Sequence, residues 1–469
     1  MSSHRVAGAP LDFAALRVEL EVPGDFDSAV LAEAERAAAA PDLAASVYQD
    51  ATDIPFVTID PPGSRDLDQA VHLERDGNRF LVHYAIADVA AFVQPGSALD
   101  DAARARGETL YFPDTRIPLH PQVLSEGAAS LLPGEVRPAV LWRIALTPSG
   151  DVSEVHVGRA RVRSRQQLDY PGVQSQLDSG RADPWLVLLH EVGELRLALA
   201  RQRHAINLDL PEQQVVRDGS TWRLEIRAPL AVEQYNAEIS VLTGMCAAQL
   251  MLSGNIGVLR TVPTPHGIVV DKLHRVAQAL AIDWPHGAHP GDVLATLDPT
   301  NSKHVAFLEH AASLLRGAAY VAFDGSPPAD SGHAGIGAPY AHVTAPLRRL
   351  VDRFASEVCL ALSARTPVPQ WTRDALPALP DLMQHADQLA HTVDRAVVDM
   401  TEAWLLRDRI GSTFDAVVID AEESAGTVLL DDPPVRARCD GADLPVGERI
   451  SVRLVSADVA TRTVRFVRA

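Results

Sequence analysis

From Ile54 onward apolar residues gather in short blocks: IPFVTI, AVHLER and RFLVHYAIADVAAFV, the last two parted by Asp76-Gly77-Asn78. Such blocks between turn residues predict strands, and an Asp-Gly pair between two of them predicts a hairpin. Ahead of them, LDFAALRVEL and DSAVLAEAERAAAA predict two short helices parted at Pro23-Gly24, the second with Asp27 or Ser28 as N-cap. These could form a helix-turn-helix or a cap on the next domain. Glu33, Glu35 and Arg36 leave the second helix without a basic face, so DNA reading is not expected.

Further on, DPWLVLLHEVGELRLALARQRHA and EQYNAEISVLTGMCAAQLML carry apolar residues near a 3.6 period and predict buried helices. Ile239 to Leu259 is uncharged but interrupted by Ser, Thr, Gln and a Ser-Gly-Asn turn, which suits a core helix better than a membrane span. Pro and Gly punctuation between about 260 and 345 predicts loops. Finally FDAVVID, GTVLLDD, VRARCD, RISVRLVSA and TRTVRFVRA are five β runs, the number and length of a small OB-type barrel. The expected organisation is a helical segment over 1–50, a large mixed α/β (α+β) domain over 51–408, and an OB-fold domain over 409–469.

Composition narrows the function. The chain has 469 residues, 47% of them apolar, enough for a large core. Cys246, Cys359 and Cys439 are odd in number and far apart, which argues against disulfides or structural zinc and points to the cytoplasm. The first ten residues carry no export-signal pattern. A net charge of −19 excludes a surface that coats nucleic acid, yet leaves room for a basic channel inside an acidic shell. Lys272 and Lys303 are the only lysines, so the positive charge is nearly all arginine, suited to bidentate phosphate contacts.

The densest chemistry is FVTIDPPGSRDLDQAV, where Asp60, Asp66 and Asp68 fall within nine residues. Asp66 and Asp68 face one side of an extended segment, and the Pro-Pro-Gly loop could return them towards Asp60. Carboxylates so crowded repel unless a cation sits among them, and oxygen ligands suit Mg²⁺ or Mn²⁺. A solvated, turn-capping loop is the competing reading of the same residues. YAHVTAPLRRLVDR adds Arg348 and Arg349, which could meet a phosphate.

These segments, with VHYAIADVAAFVQPGSALDDAARARGETLYFPDTRIPLHPQVLSEGAASLLP and INLDLPE between them, resemble the RNB exoribonucleases typified by ribonuclease II and ribonuclease R, in family order from about residue 50 to 405. The resemblance implies processive 3′→5′ hydrolysis of single-stranded RNA to 5′-mononucleotides with Mg²⁺, or Mn²⁺. It implies metal ligation by Asp60, Asp66, Asp68 and the residue at Gln69, catalysis by Asp68, Arg348 and Arg349, and RNA contacts by Tyr111 and Arg348. Gln69 stands where the family has a fourth aspartate and brings no charge. Ala345 and Leu350 replace the family's Ser and Tyr, and TVPTPHG lacks a second clamping aromatic. The acid expected in the helix after the arginines falls near Val398, beside Asp399 and Glu402. The C-terminal β runs look like the family's S-one type OB domain, with Phe414 and Phe466 as its only rings and Arg436, Arg438, Arg449, Arg453, Arg462 and Arg465 for grip or for a solvated face.

His83, His120, His266 and His342 are read as structural, because hydrolysis by a metal-bound water needs no His base. The expected protein is thus a cytoplasmic, monomeric exoribonuclease without membrane contact. Two rivals stay open: an RNA-binding regulator silenced at Gln69, and a DNA exonuclease on the same scaffold.

Overall fold

The computed structural model describes residues 11–41, 47–208, 212–219, 221–298 and 301–469, without the Glu212 side chain. Of the INLDLPE motif, Asp209 to Pro211 therefore lie outside the described residues, as do residues 1–10 and 42–46.

The predicted N-terminal helices are α1 (Ala14–Glu19) and α2 (Ser28–Ala39), with Asp27 at the N-cap position of the second. They serve different parts of the molecule. Leu16 of α1 joins the core that includes the C-terminal barrel, whereas Val30 and Ala34 of α2 join the core beneath the aspartate loop.

A six-stranded sheet follows: β1 (Gln49–Asp50), β2 (Phe56–Asp60), β3 (Gln69–Asp76) and β4 (Arg79–Ala87). After α3 (Ala98–Arg106) and a small hairpin of β5 (Leu110–Tyr111) and β6 (Arg116–Ile117), it is completed by β7 (Val136–Leu146) and β8 (Val152–Asp169). β3 and β4 form the hairpin expected at Asp76-Gly77, with Gly77 at φ +62°, where a residue without Cβ is favoured. The long β8 pairs with β7 over its first part and runs parallel to β2 at its end, so the sheet curls until its ends share one strand. Phe56, Val57, Thr58 and Ile59 are all buried, so β2 is a central strand that delivers Asp60 to the sheet's rim.

α4 (Tyr170–Asp178), α5 (Pro184–Gln202) and the hairpin of β9 (Glu212–Asp218) and β10 (Thr221–Arg227) come next. α6 (Ala231–Gly254) is the apolar helix read from the sequence. By length and composition it could cross a membrane, but Val232, Ile239, Leu242, Ala247 and Met251 sit in the main core. It stops at Asn255 in the left-handed conformation, so Ile256 to Leu259 belong to β11 (Ile256–Thr261) instead of continuing the helix.

The punctuated stretch after 260 is more regular than its Pro and Gly content predicts. It contains α7 (Gly267–Leu280), α8 (Pro290–Leu294), α9 (Ser302–Ala311) and β12 (Ala319–Asp324), the last paired with β11. His266 and His289 stand at N-caps and Pro290 at the first turn of α8, so the prolines and glycines start helices here as well as forming loops. α10 (Leu350–Ala364), α11 (Gln370–Ala375) and the long α12 (Leu379–Leu406) close the α/β body. The five C-terminal runs form β13 (Thr413–Ala421), β14 (Ala425–Leu430), β15 (Arg436–Asp440), β16 (Arg449–Asp458) and β17 (Thr463–Arg468), a closed barrel. All three cysteines are buried and free.

Candidate active site

Beyond Asp60 the chain turns at Gly63, φ +83°, and is stitched down by Ser130: its Oγ donates to Arg65 O at 2.6 Å and accepts from Leu67 N at 3.0 Å. Leu67 is wholly buried, so alternation turns Asp66 and Asp68 to the other side. Asp66 is held by Arg116 Nη1 at 2.8 Å and by the Tyr111 hydroxyl at 3.2 Å. Asp68 is buried, and its Oδ1 accepts from Leu347 N at 2.7 Å. Arg348 Nε lies 3.4 Å from its other oxygen, with the arginine side chain half exposed.

One joint sets both Arg348 and Tyr111. Arg348 O accepts from Thr109 N at 2.9 Å, and Leu350 N donates to Gly107 O at 2.9 Å, two to four residues before Tyr111. Tyr111 is 48% exposed, so its ring is open for stacking while its hydroxyl faces Asp66. Arg349 points elsewhere. It forms a two-point pair with the wholly buried Asp352, at 2.5 and 2.9 Å, and Asp352 also accepts from Ala345 N at 2.7 Å. The structure therefore pairs Tyr111 with Asp66 and Arg348 with Asp68, and gives Arg349 to the loop beneath them.

Gln69 adjoins the cluster with its carboxamide engaged. Nε2 donates to Thr344 O at 2.7 Å, and Oε1 accepts from Tyr84 at 2.6 Å and from Ser240 at 3.5 Å. With both lone pairs directed at hydroxyls, Gln69 binds β3, β4, α6 and the arginine loop together.

Electrostatics mark the carboxylates. Burial pushes Asp60 up to about 6, with Asp66 adding to the rise and Arg348 opposing it. Burial pushes Asp68 up to about 8 against the Arg348 charge and the Leu347 hydrogen bond. Asp60 Oδ2 is buried without a hydrogen-bond partner. Among the described residues no three His, Cys, Asp or Glu side chains converge on one point. An orphaned buried carboxylate oxygen on a residue that senses a second carboxylate's charge is nevertheless a donor that fits a hard divalent cation, and Asp60, Asp66 and Asp68 could hold one.

A cavity of about 1230 Å³ has Tyr111 and Arg348 in its wall together with Gln213 of β9, Asp399 of α12, and Arg436 and Arg438 of the barrel. Of the six barrel arginines named from the sequence, five are in ion pairs, with Glu309, Asp440, Asp431 and Glu19 as partners, so most belong to a charge-paired surface. Phe414 and Phe466 are buried against each other and offer no exposed ring. Glu402 is buried and joins three elements: its Oε1 accepts from Gln213 Nε2 at 3.0 Å and from Arg436 N at 2.7 Å.

None of the four histidines joins the aspartates through a hydrogen bond. His83 contacts Glu74, His342 contacts the Tyr320 hydroxyl, His120 is buried and pushed down to about 3, and His266 heads α7. Arg116 and Asp352 were not singled out in the sequence. Arg116 is the cross-strand partner of Tyr111 in the FPDTR turn, and Asp352 lies three residues after Arg349, spacings that carried the signal.

The RNB domain matches residues 48–359, and the RNase II-type exonuclease C-terminal S1 domain matches residues 412–469. Exoribonuclease 2 of Proteus mirabilis (strain HI4320) is 28% identical over 398 residues, 79% of this chain and 59% of that protein, so the chain spans little more than half of the relative's length. Mycoplasma genitalium RNase R shares the fold with a TM-score of 0.86 at 19% identity, over 97% of this chain and 77% of that one. A yeast pseudonuclease shares it with a TM-score of 0.72 at 18% identity, over 88% and 53%. With the expected mixed α/β body, the closed C-terminal barrel and a domain match over most of its length, the chain belongs to the RNB family.

Proposed function

We propose that the protein is a monomeric, cytoplasmic 3′→5′ exoribonuclease that hydrolyses single-stranded RNA processively to 5′-mononucleotides. The observation that carries this reading is the shared cavity: Arg348, itself paired with the buried Asp68, and the open ring of Tyr111 at one part of its wall, Arg436 and Arg438 of the barrel at another. Its relatives support it, since M. genitalium RNase R has been captured with ribose-methylated single-stranded RNA and with double-stranded RNA.

In this reading Tyr111 stacks on a base near the 3′ end, a grip that tolerates any sequence. Arg348 bears on the scissile phosphate, its half-exposed guanidinium held in orientation by Asp68. Asp60, Asp66 and Asp68 would hold Mg²⁺ or Mn²⁺, which when bound supplies an activated water and neutralises the leaving oxygen. Arg349 acts by fixing the loop through Asp352, and Gln69 by tying that loop to the sheet.

A second reading is favoured by one observation, the engaged Gln69 carboxamide, together with the likeness to a yeast pseudonuclease: an RNA-binding regulator without hydrolysis. The experiment that separates them incubates 5′-labelled single-stranded RNA with the protein or its Asp68→Asn variant in Mg²⁺ or Mn²⁺. A short labelled end product without intermediates, lost in the variant, is expected. Intact RNA that stays bound would replace the first reading with the second.

A further inference from the structure

The hairpin that carries Tyr111 has two residues in each strand, and one turn hydrogen bond, Phe112 N to Thr115 O at 2.8 Å, closes it. So short a ladder has little stability of its own, and what grips the turn from outside sets the direction of the ring. On the inner side Arg116 and the Tyr111 hydroxyl both bond Asp66. On the outer side the grip comes from α1, a segment outside the RNB match. Arg17 Nη1 donates to both carboxylate oxygens of Asp114, at 2.8 and 3.1 Å, and its guanidinium lies 5.2 Å from the centre of the Phe112 ring.

The same segment is anchored on two other elements. Phe13, wholly buried, packs edge-on against Trp222 of β10 at 5.5 Å, and Trp222 Nε1 donates to Leu11 O at 3.2 Å. Glu19 pairs through both oxygens with Arg462 of the barrel, at 2.7 and 2.8 Å. α1 thus ties the Tyr111 turn, the β9–β10 hairpin and the barrel to one another, and each of the three contributes to or adjoins the wall of the large cavity.

We infer that Arg17 is a positioning residue for the base-stacking platform, acting through Asp114 and Phe112 to hold the Tyr111 hairpin against the RNA 3′ end. The inference rests on the proposed reading of Tyr111. An exposed ion pair adds little to global stability, so the effect of its loss falls on the order of the turn and not on the fold.

The test uses the full chain with a single-stranded RNA whose 3′-terminal base is 2-aminopurine, in chelator so that the strand stays intact, and reads quenching by stacking. The unmodified protein quenches and Tyr111→Ala does not. Arg17→Ala and Asp114→Ala each lose most of the quenching. In Mg²⁺ each shows KM raised about fivefold with kcat and melting temperature little changed, and the exchanged pair Arg17→Asp with Asp114→Arg regains both. Quenching and KM unchanged in Arg17→Ala and Asp114→Ala would overturn the inference, as would failure of the exchanged pair to recover while still folded. If the unmodified chain does not quench, or Tyr111→Ala quenches equally, the stacking reading beneath it fails and takes the inference with it.

Discussion

Asp68 and Leu347 are 279 residues apart in sequence and 2.7 Å apart in space, the backbone N–H of Leu347 donating to Asp68 Oδ1. That bond brings the arginine loop onto the aspartate loop and makes Arg348 the neighbour of a buried carboxylate. Asparagine keeps the acceptor for Leu347 N and can never ionise to hold a cation. Asp68→Asn is therefore expected to lower kcat by about a thousandfold. Because burial already raises the Asp68 carboxyl to about 8, the neutral side chain does not destabilise the fold. Single-turnover cleavage beside thermal melting checks this, and a variant that still cleaves at the normal rate removes Asp68 from the chemistry.

The two adjacent arginines separate by environment. Arg348 is half exposed beside Asp68, so Arg348→Ala reduces cleavage by on the order of a hundredfold while the melting temperature holds. Arg348→Lys recovers little, since a point charge does not reproduce the planar guanidinium. Arg349→Ala leaves the wholly buried Asp352 unpaired and is expected to lower stability by about 3 kcal/mol. Urea unfolding of all three variants decides it: equal stability losses at 348 and 349 would contradict the division.

The elements that the chain pattern announced were those with a local signal. The β3–β4 hairpin has its Asp-Gly turn, β2 its unbroken apolar run, and the barrel its five evenly spaced runs, and each is found at the expected residues. The stretch after 260 misled because proline and glycine start helices as well as end them, as at Pro290 of α8. Two pairs among the residues that the sequence singled out are present, Tyr111 with Asp66 and Arg348 with Asp68, and Asp60 senses the charges of Asp66 and Arg348. The roles of Gln69 and Arg349 were not legible, because they depend on partners that only folding supplies. Gln69 needs Tyr84, Ser240 and Thr344 from three separate segments, and Arg349 is drawn away from the aspartates by a buried acid one helical turn along. The β9–β10 hairpin did carry its own signal, alternation around Asp218-Gly219, in EQQVVRDGSTWRLEIR.

At Gln69 the amide and carbonyl ends have different partners, so a carboxylate of the same shape is not equivalent. In Gln69→Glu one oxygen faces Thr344 O, which can only accept. The expected result is a loss of about 2 kcal/mol at pH 8, since a half-buried donor is replaced by a repelling acceptor. A protonated Glu side chain restores the donor, so its folded pKa lies above its unfolded one, and the deficit shrinks as pH falls towards 5. Urea unfolding at both pH values tests this. A variant as stable as the parent at pH 8 would show that the Thr344 contact does not matter.

Glu402 offers the pH dependence that can be isolated most cleanly, because it is buried far along α12 and bonds neutral N–H groups of Gln213 and Arg436. Burial pushes its carboxyl up to about 7 from 4.5, Asp399 adds to the rise, and the Gln213 and Arg436 contacts oppose it. Between those values the folded protein keeps a proton that the unfolded chain has released, so this residue's contribution to stability is full below 4.5 and is lost as pH rises through 7. The loss amounts to about 3 kcal/mol across the window. Glu402→Gln keeps the acceptor for both N–H groups and cannot ionise, so the variant gains on the parent steadily from pH 5 to pH 8. Since Gln213 and Arg436 are in the cavity wall, the desolvation cost of ionising Glu402 falls on the junction of β9 with the barrel and weakens RNA binding more in the parent than in the variant. Parallel stability curves for parent and variant over that range would mean that Glu402 is already ionised at pH 5.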